Sequence, residues 1–146
     1  MFKDRVTLVG DAAHAHGGAF AAGGSLALDD AFALGLAFRY ILTRAGNPHN
    51  KGLLGIEGVK KALELYERTR KPQTHQLLEI VHAQLNTKPA AKGSEEEENE
   101  KLINRMKGRP DTEWLSEHDV EKAFAHVVRQ EEDERVRALA VSGSKL

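Results

Sequence analysis

The run Leu26–Leu42 (LALDDAFALGLAFRYIL) is apolar on nearly every helical face, interrupted only by Asp29, Asp30 and Arg39. A helix of that kind is normally enclosed by other structure, because it has no polar side to turn to water. The two adjacent carboxylates argue against a bilayer-spanning helix, since each is costly at membrane depth. The reading is therefore a buried helix, led in by Gly23-Gly24-Ser25.

The remaining elements follow from periodicity and breakers. Arg5–Gly10 (RVTLVG) is β-branched and ends in glycine, which suits a short buried strand followed by a turn. Gly46–Gly58 reads as a loop. Val59, Ala62, Leu63 and Tyr66, then Leu77, Leu78, Val81 and Leu85, keep helical spacing, with Pro72 expected to kink or divide the helix. Thr87–Asn99 holds four successive glutamates beside Pro, Gly and Ser, and reads as a solvated linker. Asp111 or Thr112 suits the cap of a short turn carrying Trp114 and Leu115. Ser116 is the expected N-cap of a last helix running to about Glu134, with Asp119 three residues on and a frayed tail after Ala140. The fold class expected is mainly α with one short strand. That strand finds no partner among the other elements, so it is expected to complete a sheet formed elsewhere. The segments divide as 1–45, 46–88, 89–110 and 111–146.

Charge and composition exclude some functions. The 146 residues carry 21 Lys and Arg against 22 Asp and Glu, a net charge of −1, split as +4 over residues 1–94 and −5 over 95–146. No nucleic acid or anionic membrane partner is expected from so weak a field. The absence of cysteine excludes disulfides, thiolate metal sites and cysteine nucleophiles. No targeting segment is recognised in Met1–Asp11, and a cytoplasmic location is expected.

Chemistry concentrates in Val9–Ala31 (VGDAAHAHGGAFAAGGSLALDDA). A strand end places Gly10-Asp11 in a turn, and small residues then let backbone approach a flat ligand closely. Amides at the start of the following helix favour negative charge or carbonyl oxygens, and Asp11 offers an acceptor for hydroxyl groups. Together they sketch a site for a polyhydroxylated ligand with an electron-rich ring. Neither G-x-x-x-x-G-K-S/T nor G-x-G-x-x-G is present, so no phosphate cradle is supported. His14 and His16 with Asp11 lack a well-spaced third ligand, and no metal is expected. Asp29 and Asp30 read as a helix-face pair meeting a partner or solvent, Asp119 of His118-Asp119 as part of a capped helix start, and Tyr66, Trp114 and Phe124 as packing anchors.

These residues carry a resemblance. RVTLVGDAAHAHGGAFAAGGSLALDDA is similar to the second flavin-contacting motif of the FAD-dependent aromatic hydroxylases, the single-component flavoprotein monooxygenases, and most resembles their salicylate-hydroxylase-like branch. Gly10–His14 matches the Gly-Asp-Ala-Ala-His signature and Asp29–Ala31 its acidic pair, while YERTRKPQ (Tyr66–Gln73) and WLSEHDV (Trp114–Val120) resemble later helices of that branch. The resemblance implies that Asp11 accepts hydrogen bonds from the ribityl chain of FAD and that Gly10 permits the close approach. It also places Gly23 and the amides of Gly24 and Ser25 at the pyrimidine edge of the ring. It further implies NADH or NADPH as reductant, O2, and a small aromatic substrate, with the catalytic residues unknown. Ala15 and Gly18 stand where many members have proline, and Ala21-Ala22-Gly23 where they have Gly-Gln-Gly. The family's N-terminal Rossmann-type unit is not in this sequence. The expectation is thus the C-terminal part of a longer enzyme, inactive alone, the missing portion or a partner subunit covering the apolar helix. The alternative is a non-catalytic helical interaction module docking on a partner subunit.

Overall fold

The computed structural model describes residues 2–15, 22–45, 55–85, 94, 99–100, 103 and 113–143. Two short strands, β1 (Phe2–Lys3) and β2 (Val6–Thr7), form an antiparallel hairpin with Phe2 opposite Thr7 and Lys3 opposite Val6. Asp4 turns it at φ 57°, a conformation that Asp tolerates better than most side chains. One helical turn, α1 (Asp11–His14), precedes the long helices α2 (Gly23–Ala45) and α3 (Ile56–Leu85). A second single turn, α4 (Glu113–Ser116), leads to α5 (Val120–Gly143).

The core lies where α2, α3 and α5 meet. Ala33, Leu36, Ala37 and Ile41 of α2 pack on Ala62, Leu65 and Tyr66 of α3 and on Val120, Phe124 and Val127 of α5. Alanines at the contact let the helix axes approach closely, and Tyr40 meets Phe124 edge to face at 6.1 Å. A smaller cluster joins Leu26 to Leu77 and Val81, with Trp114 and Leu115 against it. Ion pairs line the seam of α5: Arg44 with Glu132 at 2.9 Å, Lys61 with Glu131 at 2.6 Å, and Arg68 with Glu131 and Glu134 at 2.9 and 3.1 Å.

Several expectations change. The stretch Arg5–Gly10 is paired only over Val6–Thr7, its ladder partner is the adjacent Phe2–Lys3, and Val6, Leu8 and Val9 are exposed. α2 is enclosed on one face only: Leu28 is 73% and Phe32 51% exposed. α3 begins at Ile56, after Gly55 at φ 82°, and runs undivided through Pro72. The N-cap of α5 is Asp119 in place of Ser116. Its Oδ1 accepts the Lys122 N–H at 2.9 Å, whereas the Ser116 hydroxyl donates back to the Glu113 carbonyl at 2.8 Å. The helix starts one residue after the carboxylate, so its third amide points at Asp119. Its end lies beyond Glu134, at Gly143. The cap expected at Asp111 or Thr112 lies outside the described residues, as does the linker Thr87–Asn99 apart from Ser94 and Asn99.

Two outcomes test this packing. Asp119→Ala should lower the helix content and melting temperature by circular dichroism, and Ser116→Ala should leave both unchanged. The Lys122 amide holds the Asp119 carboxyl below the usual carboxylate range. That contribution is therefore present above an ordinary carboxylate pKa of about 4 and lost as pH falls through the lowered value. Tyr66→Phe leaves the Leu8 carbonyl without its 3.1 Å hydroxyl donor and should cost about 1 kcal/mol in denaturant unfolding.

Candidate functional site

Gly10 sits where the chain leaves the hairpin and enters α1. Its backbone, at φ 58° and ψ −143°, lies in a region that side chains with a Cβ rarely enter. Its carbonyl accepts the amides of Ala13 and His14 at 2.8 and 3.1 Å, which closes the turn. Asp11 is the first residue of that turn and is exposed, with no hydrogen bond or ion pair among the described residues.

The turn is held from below by a buried carboxylate. Asp30 Oδ2 accepts the Gly10 N–H at 2.7 Å and lies 2.9 Å from His14 Nε2. An ionised carboxylate can only accept, so that histidine nitrogen carries the hydrogen. Asp30 Oδ1 accepts Arg70 Nε of α3 at 2.8 Å. His14, Asp30 and Arg70 are each 0% exposed. The Arg70 guanidinium also donates to the Gln73 side-chain carbonyl, lies 3.5 Å from Asp29, and reaches the Leu26 carbonyl at 3.5 Å. Tyr66 stands beside this group, its phenol pushed up by burial and then by the Asp30 charge.

The other half of the site is the start of α2. The Leu26 amide makes the first helical bond, to the Ala22 carbonyl at 3.0 Å, so the amides of Gly23, Gly24 and Ser25 precede the ladder. The Ser25 hydroxyl donates back to the Ala22 carbonyl at 2.9 Å. Among the described residues a Cβ on Gly24 would meet no heavy atom within 4 Å, while a Cβ on Gly10 would stand 3.7 Å from Ala27 Cβ. The turn therefore packs against the second turn of α2, and both halves attach to one helix end.

Sequence reasoning placed Gly10, Asp11, Gly23, Gly24 and Ser25 at the site but missed what supports them. Asp30, expected on a helix face meeting a partner or solvent, is buried beneath the motif. Arg70 and His14 complete that support, and no local spacing points to them. The available signal was a carboxylate inside an apolar helix, which demands a cation or several donors. Arg70 stands in YERTRKPQ, the stretch whose resemblance to a later family helix marks it.

Among the described residues, no group of three or more His, Asp or Glu could hold a metal, and His16 lies outside them. No helix among them is long and apolar enough to cross a membrane. A hollow of about 360 Å³ beside Tyr40, Arg44, Lys61 and Glu132 shares no residue with the motif.

A family model described as FAD binding domain matches residues 1–81, more than half of the chain. The chain belongs to this FAD-binding family. The matched span contains both halves of the site and also Asp30 and Arg70. The family is typically one of flavoprotein monooxygenases, and FAD is the cofactor its description names. No curated protein and no solved structure matches the chain. The site fits such a cofactor: an exposed carboxylate on a fixed turn, and helix-start amides with no described heavy atom close over Gly24.

His118 flanks the Arg70 side of the network. Burial, then the Arg70 charge, lowers its pKa, and its Nε2 is buried with no hydrogen-bond partner among the described residues. A lowered folded pKa means that the unfolded chain binds the proton more readily. This contribution to stability is therefore full above about pH 6.5 and decreases as pH falls below it. The difference in melting temperature between wild type and His118→Gln, followed from pH 8 to 5, should narrow or reverse across that window.

Proposed function

We propose that the chain forms the flavin-facing wall of a monooxygenase that hydroxylates a small, salicylate-like aromatic substrate with O2 and NADH or NADPH. The observation that carries this reading is the Gly10-Asp11 turn, fixed over the start of α2 with its carboxylate exposed. In this reading Asp11 accepts hydrogen bonds from the ribityl hydroxyls of FAD, and Gly10 keeps the backbone close enough for them. The amides of Gly23, Gly24 and Ser25 face carbonyl oxygens on the pyrimidine side. The positive end of the α2 dipole favours negative charge on the reduced ring. When bound, FAD would supply the redox chemistry between the nicotinamide and oxygen.

The sequence has no G-x-G-x-x-G. A Rossmann-like unit that this reading places beyond the sequence or on a partner subunit would hold the adenine and pyrophosphate. The exposed Val6, Leu8 and Val9 would then continue its sheet, and Leu28 and Phe32 would be covered by it. On its own the chain binds FAD weakly and does not oxidise NADH or NADPH.

The test is amide NMR of the isotope-labelled chain during FAD titration. Shifts confined to Gly10–Asp11 and Gly23–Ser25 are expected. Asp11→Ala should weaken them about ten- to a hundredfold, the worth of a hydrogen bond to a charged acceptor. Absent shifts, or shifts unaffected by Asp11→Ala, would remove the flavin role and favour a helical interaction module.

A further inference from the structure

We infer that Arg70 is a positioning residue for the flavin motif: from α3 it fixes, through Asp30, the orientation in which Gly10-Asp11 meets the ligand. The inference rests on the flavin reading above and adds a residue that touches no part of the ligand in it.

The geometry gives Arg70 a hold on both halves of the site. Through Nε it pins Asp30 Oδ1, and the other oxygen of the same carboxylate accepts the Gly10 amide at 2.7 Å and meets His14 Nε2 at 2.9 Å. Through its other nitrogens it reaches the Leu26 carbonyl, just after Gly23–Ser25, and the side chains of Gln73 and Asp29. A carboxylate held by three donors from three directions has one orientation available, and the Gly10 N–H must follow it. Asp11, the next residue, is thereby aimed before any ligand arrives, and the ordering cost of binding falls. Lysine cannot replace this arrangement, because a single ammonium replaces a planar fork of five N–H donors. Neutral alternatives leave Asp30 buried with the Gly10 amide and His14 on one oxygen and no cation on the other, which is costly.

Hydrogen exchange of the full chain, free of FAD, tests the hold directly. The Gly10 amide belongs to a turn whose neighbours Val9 and Asp11 are exposed. Even so, it should exchange as slowly as the amides of α3 around Arg70. This wild-type measurement stands even where a variant fails to fold. Arg70→Lys should speed Gly10 exchange about ten- to a hundredfold, with Leu36 and Ile41 amides unchanged, and weaken FAD-induced shifts at Asp11 by a similar factor. Gln73→Ala, which loosens Arg70 without leaving a buried charge alone, should move both in the same direction by a smaller factor.

A Gly10 amide that exchanges like an unprotected turn in the wild type would overturn the inference. So would a variant that frees Gly10 while FAD affinity stays unchanged. If FAD shifts no wild-type amide, the flavin reading falls instead, and the exchange rates of the free chain still decide whether Arg70 fixes the turn.

Discussion

A single carboxylate organises this chain. Asp30 lies fully buried in a helix that is otherwise almost wholly apolar there, and a charge in that position is tolerable only when each oxygen is well supplied with donors. The supply comes from three elements: the Gly10 amide from the turn, His14 from α1 and Arg70 from α3. Breaking a buried pair of this kind by removing one partner typically costs about 3–5 kcal/mol, a large part of the net stability of a small domain. The same requirement that keeps the helices in register therefore also sets the pose of the motif. Fold and site cannot be varied independently here.

That dependence explains what could be read from the sequence and what could not. The apolar run gave α2, and helical spacing gave α3 and α5, because these signals are local. The residues Gly10, Asp11 and Gly23–Ser25 were legible as a group because turn and helix-start chemistry is also local. The partnership of Asp30 with Arg70 was not, since it joins residues 40 positions apart and neither shows a spacing that points to the other. The cap of α5, expected at Ser116 and found at Asp119, differs for another reason. Both are good caps, and the deciding factor is where packing of Val120 and Phe124 starts the helix. The exposure of Leu28 and Phe32 was illegible too, because hydrophobic pattern records what a surface wants and not whether anything covers it.

The two ends of α2 serve different purposes. Near its start, Leu26, Asp30 and the opening amides belong to the motif and its support, with Leu26 packed on Leu77 and Val81. Near its end, Tyr40, Ile41 and Arg44 belong to the seam with α5, a mixture of aromatic packing and ion pairs. The exposed pairs there are individually weak and screened by salt, so the apolar contacts of Phe124 and Val127 carry most of that attachment. The buried ion pair at the other end is shielded from salt in a way the seam is not.

The match to the FAD-binding family stops at residue 81, within α3, while Val120, Phe124 and Val127 lie well beyond it and close the same core. The boundary of the family match is thus not the boundary of cooperative folding. A chain trimmed to the recognisable part would keep every residue of the motif and its support. It would also open to water the sides of Ala33, Leu36, Ala37 and Ile41 that α5 now covers. Family match and packing therefore draw different borders on this molecule, and the matched part leans on a helix that lies outside the match.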